Sequence, residues 1–96
     1  MLLPGPRRLD EAGFEQLLSR VRGAGASRVE GLDLRDLAFV DPCGMLGLLL
    51  IGASSSYRKG QAWGLVEPSS REVRAFLKRS GALRRLEEHF IVDRGG

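Results

Sequence analysis

The chain has 96 residues, 43% hydrophobic and 28% charged, with a formal net charge of +3. That length allows one small core over residues 1–96, and that apolar content excludes a disordered tail. Its arginines and acids are interleaved rather than blocked, so a nucleic-acid role gets little support.

Residues 1–8 start apolar and are broken by Pro4, Gly5 and Pro6. They predict an irregular start or one edge strand, because proline removes a ladder donor. Leu9, Phe14, Leu17, Leu18 and Val21 then recur at three- and four-residue spacing, which predicts an amphipathic helix. Asp10 is its expected N-cap, and Gly23 and Gly25 its expected terminators. Residues 28–34 alternate as a strand with Val29, Leu32 and Leu34 inward. The alternation reads on to a sharp turn at Asp41-Pro42-Cys43-Gly44.

Gly44 to Arg58 predicts a second helix, apolar on most of its surface and closed by Gly60. A helix that apolar packs against a sheet and has surface left for a partner. Residues 61–66 predict a strand stopped by Pro68. Ser69 or Ser70 caps a third helix with a Val73, Phe76, Leu77 stripe, and Gly81 breaks it. Leu83, Leu86 and Phe90 predict a last short helix or turn, with the core over 9–92 and a tail at 93–96. No internal repeat is read. Helices alternating with strands imply an α/β fold, a small mixed or parallel sheet with about four helices.

One cysteine excludes an internal disulfide and fits a reducing compartment. The longest apolar run, Met45 to Ala53, falls far short of the ~20 residues that cross a bilayer. Pro4, Pro6, Arg7 and Arg8 stand where a signal peptide needs its apolar core. The expectation is a cytoplasmic protein with no membrane insertion. No Gly-x-Gly-x-x-Gly, P-loop, Ser/His/Asp or Cys/His pattern is present. His89 has no metal-ligand spacing around it, so no cofactor, metal or catalytic site is expected.

Leu32-Asp33-Leu34-Arg35-Asp36-Leu37-Ala38-Phe39-Val40-Asp41, then Gly44 and its apolar helix, form the first part of a spaced set. Arg58-Lys59-Gly60, Val66-Glu67-Pro68-Ser69, Val73-Arg74-Ala75-Phe76-Leu77 and Ser80-Gly81-Ala82-Leu83 complete it. Over about residues 9–92 this set resembles a STAS domain, the fold of bacterial anti-sigma factor antagonists and of sulfate-transporter tails. The resemblance implies about two strands before the first helix, where only eight Pro-rich residues stand. A shorter sheet, a start too far downstream, or an edge supplied by a partner would each account for that. An unpaired edge favours homodimerisation by strand addition.

The resemblance also implies Asp-Ser-Ser-Gly or Asp-Ser-Thr-Gly at the turn, with phosphate accepted by the residue before the glycine. Here that position is Cys43, which forms no stable phosphoester, so the phosphorylation switch is expected to be lost. Asp41 reads as a helix N-cap with Pro42 at the first helical position, and also as the acid beside the acceptor. Cys43 reads as a spacer of serine's volume, as a partner contact, or as a redox-sensitive thiol. Ser54, Ser55 and Ser56 read as small residues for close helix packing, or as phosphorylation sites. Arg71, Arg74, Lys78, Arg79, Arg84 and Arg85 read as a solvated face or as a patch for an acidic partner or phospholipid head groups.

Three functions follow from the resemblance. The first is an interaction module binding an anti-sigma factor or serine-kinase-like regulator through Asp41, Pro42, Cys43, Gly44, Met45, Leu46 and Leu49. The second is an accessory subunit bracing the ATPase of a bacterial lipid-transport ABC system. The third is a scaffold domain of a signalling complex.

Overall fold

The computed structural model describes residues 1–59 and 62–93. In chain order the elements are β1 (Leu2–Pro4), β2 (Arg8–Leu9), α1 (Glu11–Ala24), β3 (Gly31–Asp33), β4 (Phe39–Val40) and α2 (Pro42–Lys59). They continue as β5 (Trp63–Val66), α3 (Arg71–Arg79), α4 (Ala82–His89) and β6 (Phe90–Asp93). A 3-10 turn, Ala26–Arg28, precedes β3. Among the described residues the fold is mixed α/β, with four helices, a four-stranded sheet in the order β1-β3-β5-β6, and a separate β2-β4 pair. Every strand pair is parallel.

Register explains the core. Leu3, Leu32, Leu65 and Val92 stand opposite one another across the four strands, and Trp63 stands opposite Phe90. All but the half-buried Val92 are buried, and they join Leu17, Leu48, Val73, Leu77 and Leu86 in one cluster. The helices form a continuous layer in which α1 packs on α2, α2 on α4 and α4 on α3. Burial of about 15 large apolar side chains is the main stabilising term of such a domain.

Several expectations hold for local reasons. Asp10 accepts the Gly13 N–H at 2.9 Å, and Gly25, at φ 85°, ends α1. Ser70 accepts the Val73 N–H at 3.3 Å, and Gly81, at φ 80°, separates α3 from α4. Val29, Leu32 and Leu34 are buried.

Others are corrected. The Pro-rich start holds two strands, β1 and β2, ahead of the first helix. Gly5 donates its N–H to the Asp33 carbonyl at 2.8 Å, so strand alternation turns Pro4's nitrogen outward, where a missing donor costs nothing. The single strand read through 28–41 is two. Asp33 Oδ1 accepts the Arg35 N–H at 3.1 Å and Leu37 bonds back to the Leu34 carbonyl, a turn that moves the chain from one sheet to the other. α1 runs through Gly23 to Ala24. Phe76 is exposed rather than part of the buried stripe of α3. Phe90 begins a fourth strand instead of closing a helix, because β5 offers it a register partner. The expected helix end at Gly60 and the start of the 61–66 strand at Gln61 lie outside the described residues, and the strand itself is Trp63–Val66.

Candidate functional site

The Asp41–Gly44 turn is built by β4 and the first turn of α2. Asp41 donates its N–H to the Leu9 carbonyl at 3.1 Å, which ties the turn to β2. Its carboxylate accepts the Gly44 N–H at 2.8 Å, and its carbonyl accepts the Met45 N–H at 2.9 Å. Asp41 is therefore a helix N-cap, as its sequence context predicts. Pro42, at the first helical position, has no N–H to satisfy. Of the first donors of α2, only the Cys43 N–H has no protein partner among the described residues, and its side chain is exposed beside it. A Cβ at Gly44 would overlap the Leu9 carbonyl oxygen, so α2 sits against β2 only because that residue is glycine.

An echo not recognised in the sequence lies alongside. Leu9-Asp10-Glu11-Ala12-Gly13-Phe14 and Val40-Asp41-Pro42-Cys43-Gly44-Met45 are aligned by the β2-β4 pairing, which sets Leu9 opposite Val40. Asp10 caps α1 as Asp41 caps α2, and each aspartate accepts the N–H three residues on. The signal was Asp-x-x-Gly followed by Leu17-Leu18 and Leu48-Leu49 at equal distance, too short for a repeat but sufficient for a paired strand–helix unit. The Gly13 N–H, aided by the Arg8 guanidinium 3.5 Å away, outweighs partial burial and holds the Asp10 carboxyl below its ordinary 3.8. Arg8 also stacks over Phe39, 4.3 Å from the ring centre.

The surface running from this turn is apolar. Cys43, Leu46 and Leu50 are spaced three and four apart, share one face of α2, and are all exposed. Leu46 and Leu50 are each 59% exposed. The opposite face packs inward through Leu48, Ile51 and Ser55, with Gly47 under the Phe14 ring and Gly52 under the Phe90 ring. The exposed Phe39 and Phe76 line a shallow cleft beside the turn with Ala38, Val40 and Glu72.

Of the residues read as partner-binding, Asp41, Pro42, Cys43 and Gly44 come together at the turn, and Leu46 continues the exposed face. Met45 and Leu49 do not join it: both are half-buried and packed against the core. Leu50, Phe39 and Phe76 were missed. Helical spacing from Cys43 would have found Leu50, whereas the exposure of both phenylalanines depends on tertiary packing. Among the serines, Ser55 is buried and donates to the Gly52 carbonyl at 3.0 Å, Ser54 is exposed, and the Ser56 side chain lies outside the described residues.

Among the described residues no group of histidine, cysteine and acidic side chains is placed to hold a metal, and no helix is long and apolar enough to cross a membrane. No protein-family model, curated protein or solved structure matches this chain.

Proposed function

We propose that this chain is a non-catalytic cytoplasmic interaction module of the STAS type, docking on an anti-sigma factor or kinase-like regulator. The docking surface is the Asp41–Gly44 turn with the Cys43, Leu46, Leu50 face of α2, flanked by Phe39. The observation that carries this is the contrast between two helices that begin alike. α1 places Ala12, Glu15 and Ser19 where α2 places Cys43, Leu46 and Leu50, and all six positions are exposed. The fold therefore tolerates polar residues there, and leucines on the α2 face have no structural cause. Exposed apolar groups gathered on one face mark an interaction surface.

The surface begins at Cys43, where the resembled family carries its phosphorylatable hydroxyl. Phosphate there would add roughly −1.5 to −2 charges beside an apolar contact and weaken it. With cysteine in place, partner release depends on abundance or on a further protein.

The test is binding of the purified chain to a kinase-like anti-sigma factor from the same genome. Leu46→Glu and Leu50→Glu should each weaken binding at least tenfold, and Cys43→Ser should become labelled from the γ-phosphate of ATP. Undiminished binding by both glutamate variants sinks the surface, and an unlabelled serine variant with a bound kinase sinks the family assignment.

A second reading, bracing the ATPase of a lipid-transport ABC system, draws on the groove lined by Arg71, Arg74, Lys78, Leu77 and Leu83. Binding to an ATPase–permease assembly but to no kinase-like protein would move the assignment there.

A further inference from the structure

Two hollows flank the first turns of α1, and the fold sorts charge between them. One is lined by Glu11, Glu15 and Asp41. The other, about 440 Å³, lies between α1 and the β1–β2 connection and is lined by Arg7, Arg8, Gln16 and Arg20, with the buried Pro6 and Gly13. Gln16 and Arg20 are four apart and share one face of α1, while Arg7 and Arg8 arrive from the segment entering β2. Asp10 borders both hollows, and its carboxylate is already engaged by the Gly13 N–H and by Arg8. Three arginines and one aspartate leave the second hollow a net charge of +2.

Two of those cations are held in place. Arg20 donates from Nη1 to the Pro4 carbonyl at 2.8 Å, which pins it across the β1–β2 connection. Arg8 is fixed between Asp10 and the face of the Phe39 ring. A guanidinium carries five N–H donors in a rigid fork, so one such contact leaves others for a ligand. Strand parity adds a backbone donor. Phe39 and Asp41 donate to the carbonyls of Arg7 and Leu9, so Arg8 turns its own N–H away from β4. That edge faces α1, since a Cβ on Gly13 would overlap the Arg8 carbonyl.

Charge and size select the ligand. A phosphate monoester carries roughly −1.5 to −2 charges at neutral pH, which matches the hollow, whereas a carboxylate carries one. Guanidinium forks fit phosphate oxygens in pairs. The volume falls within the roughly 300–1,000 Å³ of small-molecule sites.

We propose that this hollow binds a phosphate dianion, as the free ion or as the monoester of a small molecule, through Arg7, Arg8 and Arg20 with Gln16 beside them. It does not depend on the assignment made for the α2 face.

The test is an amide-shift titration of the labelled full chain with glycerol 3-phosphate and, in parallel, with inorganic phosphate. Saturable shifts at Arg8, Gly13 and Gln16 are expected. Arg20→Gln should weaken binding about tenfold through its lost charged donor. Gln16→Glu, which leaves every arginine in place and alters an exposed side chain, should weaken it as much with the unfolding midpoint unchanged. Arg79→Gln, the same charge loss on α3, should change nothing. Equal affinity for the two probes would identify the free ion as the ligand, and tighter binding of the ester would identify the monoester. Absent shifts, equal binding of acetate, equal weakening by Arg79→Gln, or unchanged affinity in both hollow variants would each overturn the proposal. So would binding to phosphatidic acid vesicles with neither soluble probe bound, since a membrane would then be the occupant.

Discussion

The N-termini of α1 and α2 apply one device twice. Each helix follows a two-residue strand, is capped by an aspartate that accepts the N–H three residues on, and carries glycine at that position. The glycines serve different contacts. A Cβ at Gly13 would strike the carbonyl of Arg8 in its own strand, whereas one at Gly44 would strike Leu9 in the neighbouring unit. The first turn is thus closed locally, and the second is closed against another element. Solvent sees the remaining difference: a polar outer face on α1 and an apolar one on α2. Equal backbone geometry with unequal surface chemistry separates what the fold requires from what it merely carries.

The largest effect that bears on this comparison is expected at the glycines. Gly44→Ala forces apart two packed elements and should cost about 3 kcal/mol in urea unfolding, at the upper end for overpacking. Gly13→Ala strains one turn against its own strand and should cost less. Equal losses would erase the distinction between a local and a cross-unit contact.

The caps come next. Asp41→Ala should cost about 1 kcal/mol through its lost N–H acceptor. Asp10 adds a pH signature, because its folded-state value is lowered. Its charge contributes stability above the ordinary value of 3.8, and that contribution is lost as pH falls through the lower folded value. The stability gap between the natural chain and Asp10→Asn should therefore close on acidification. A gap that persists unchanged below that range would show that the charge plays no part.

The smallest effect is a transfer from one turn to the other. Glu11→Pro gives α1 the first-turn proline of α2 and should stabilise by about 0.5 kcal/mol, read from thermal melting. Destabilisation would mean that the two first turns differ in backbone shape despite their shared caps.

Much of the site was legible because its causes are local. Asp41, Pro42 and Gly44 announce a helix start through capping chemistry within four residues, and α2 starts at Pro42. Cys43 follows as an exposed second helical residue. Met45 and Leu49 were misread because an apolar helix does not reveal which of its faces meets the sheet. Phe90 was misread because its spacing from Leu83 and Leu86 continues a helical period, while its strand conformation comes from pairing with Trp63. The break after Asp33 had a local signal, an aspartate two residues before an arginine, that the longer alternation concealed.

By itself the sequence determined the elements whose energy is local: α1 with its Asp10 cap and Gly25 stop, α3 with Ser70, and the Asp41 turn. Tertiary structure decided everything that depends on a neighbour distant in the chain. It split the strand between two sheets, set the Asp10 and Asp41 turns side by side, and turned Leu46 and Leu50 outward. A cap forms from hydrogen bonds within one turn, whereas a face is buried or exposed only when a second element arrives to cover it.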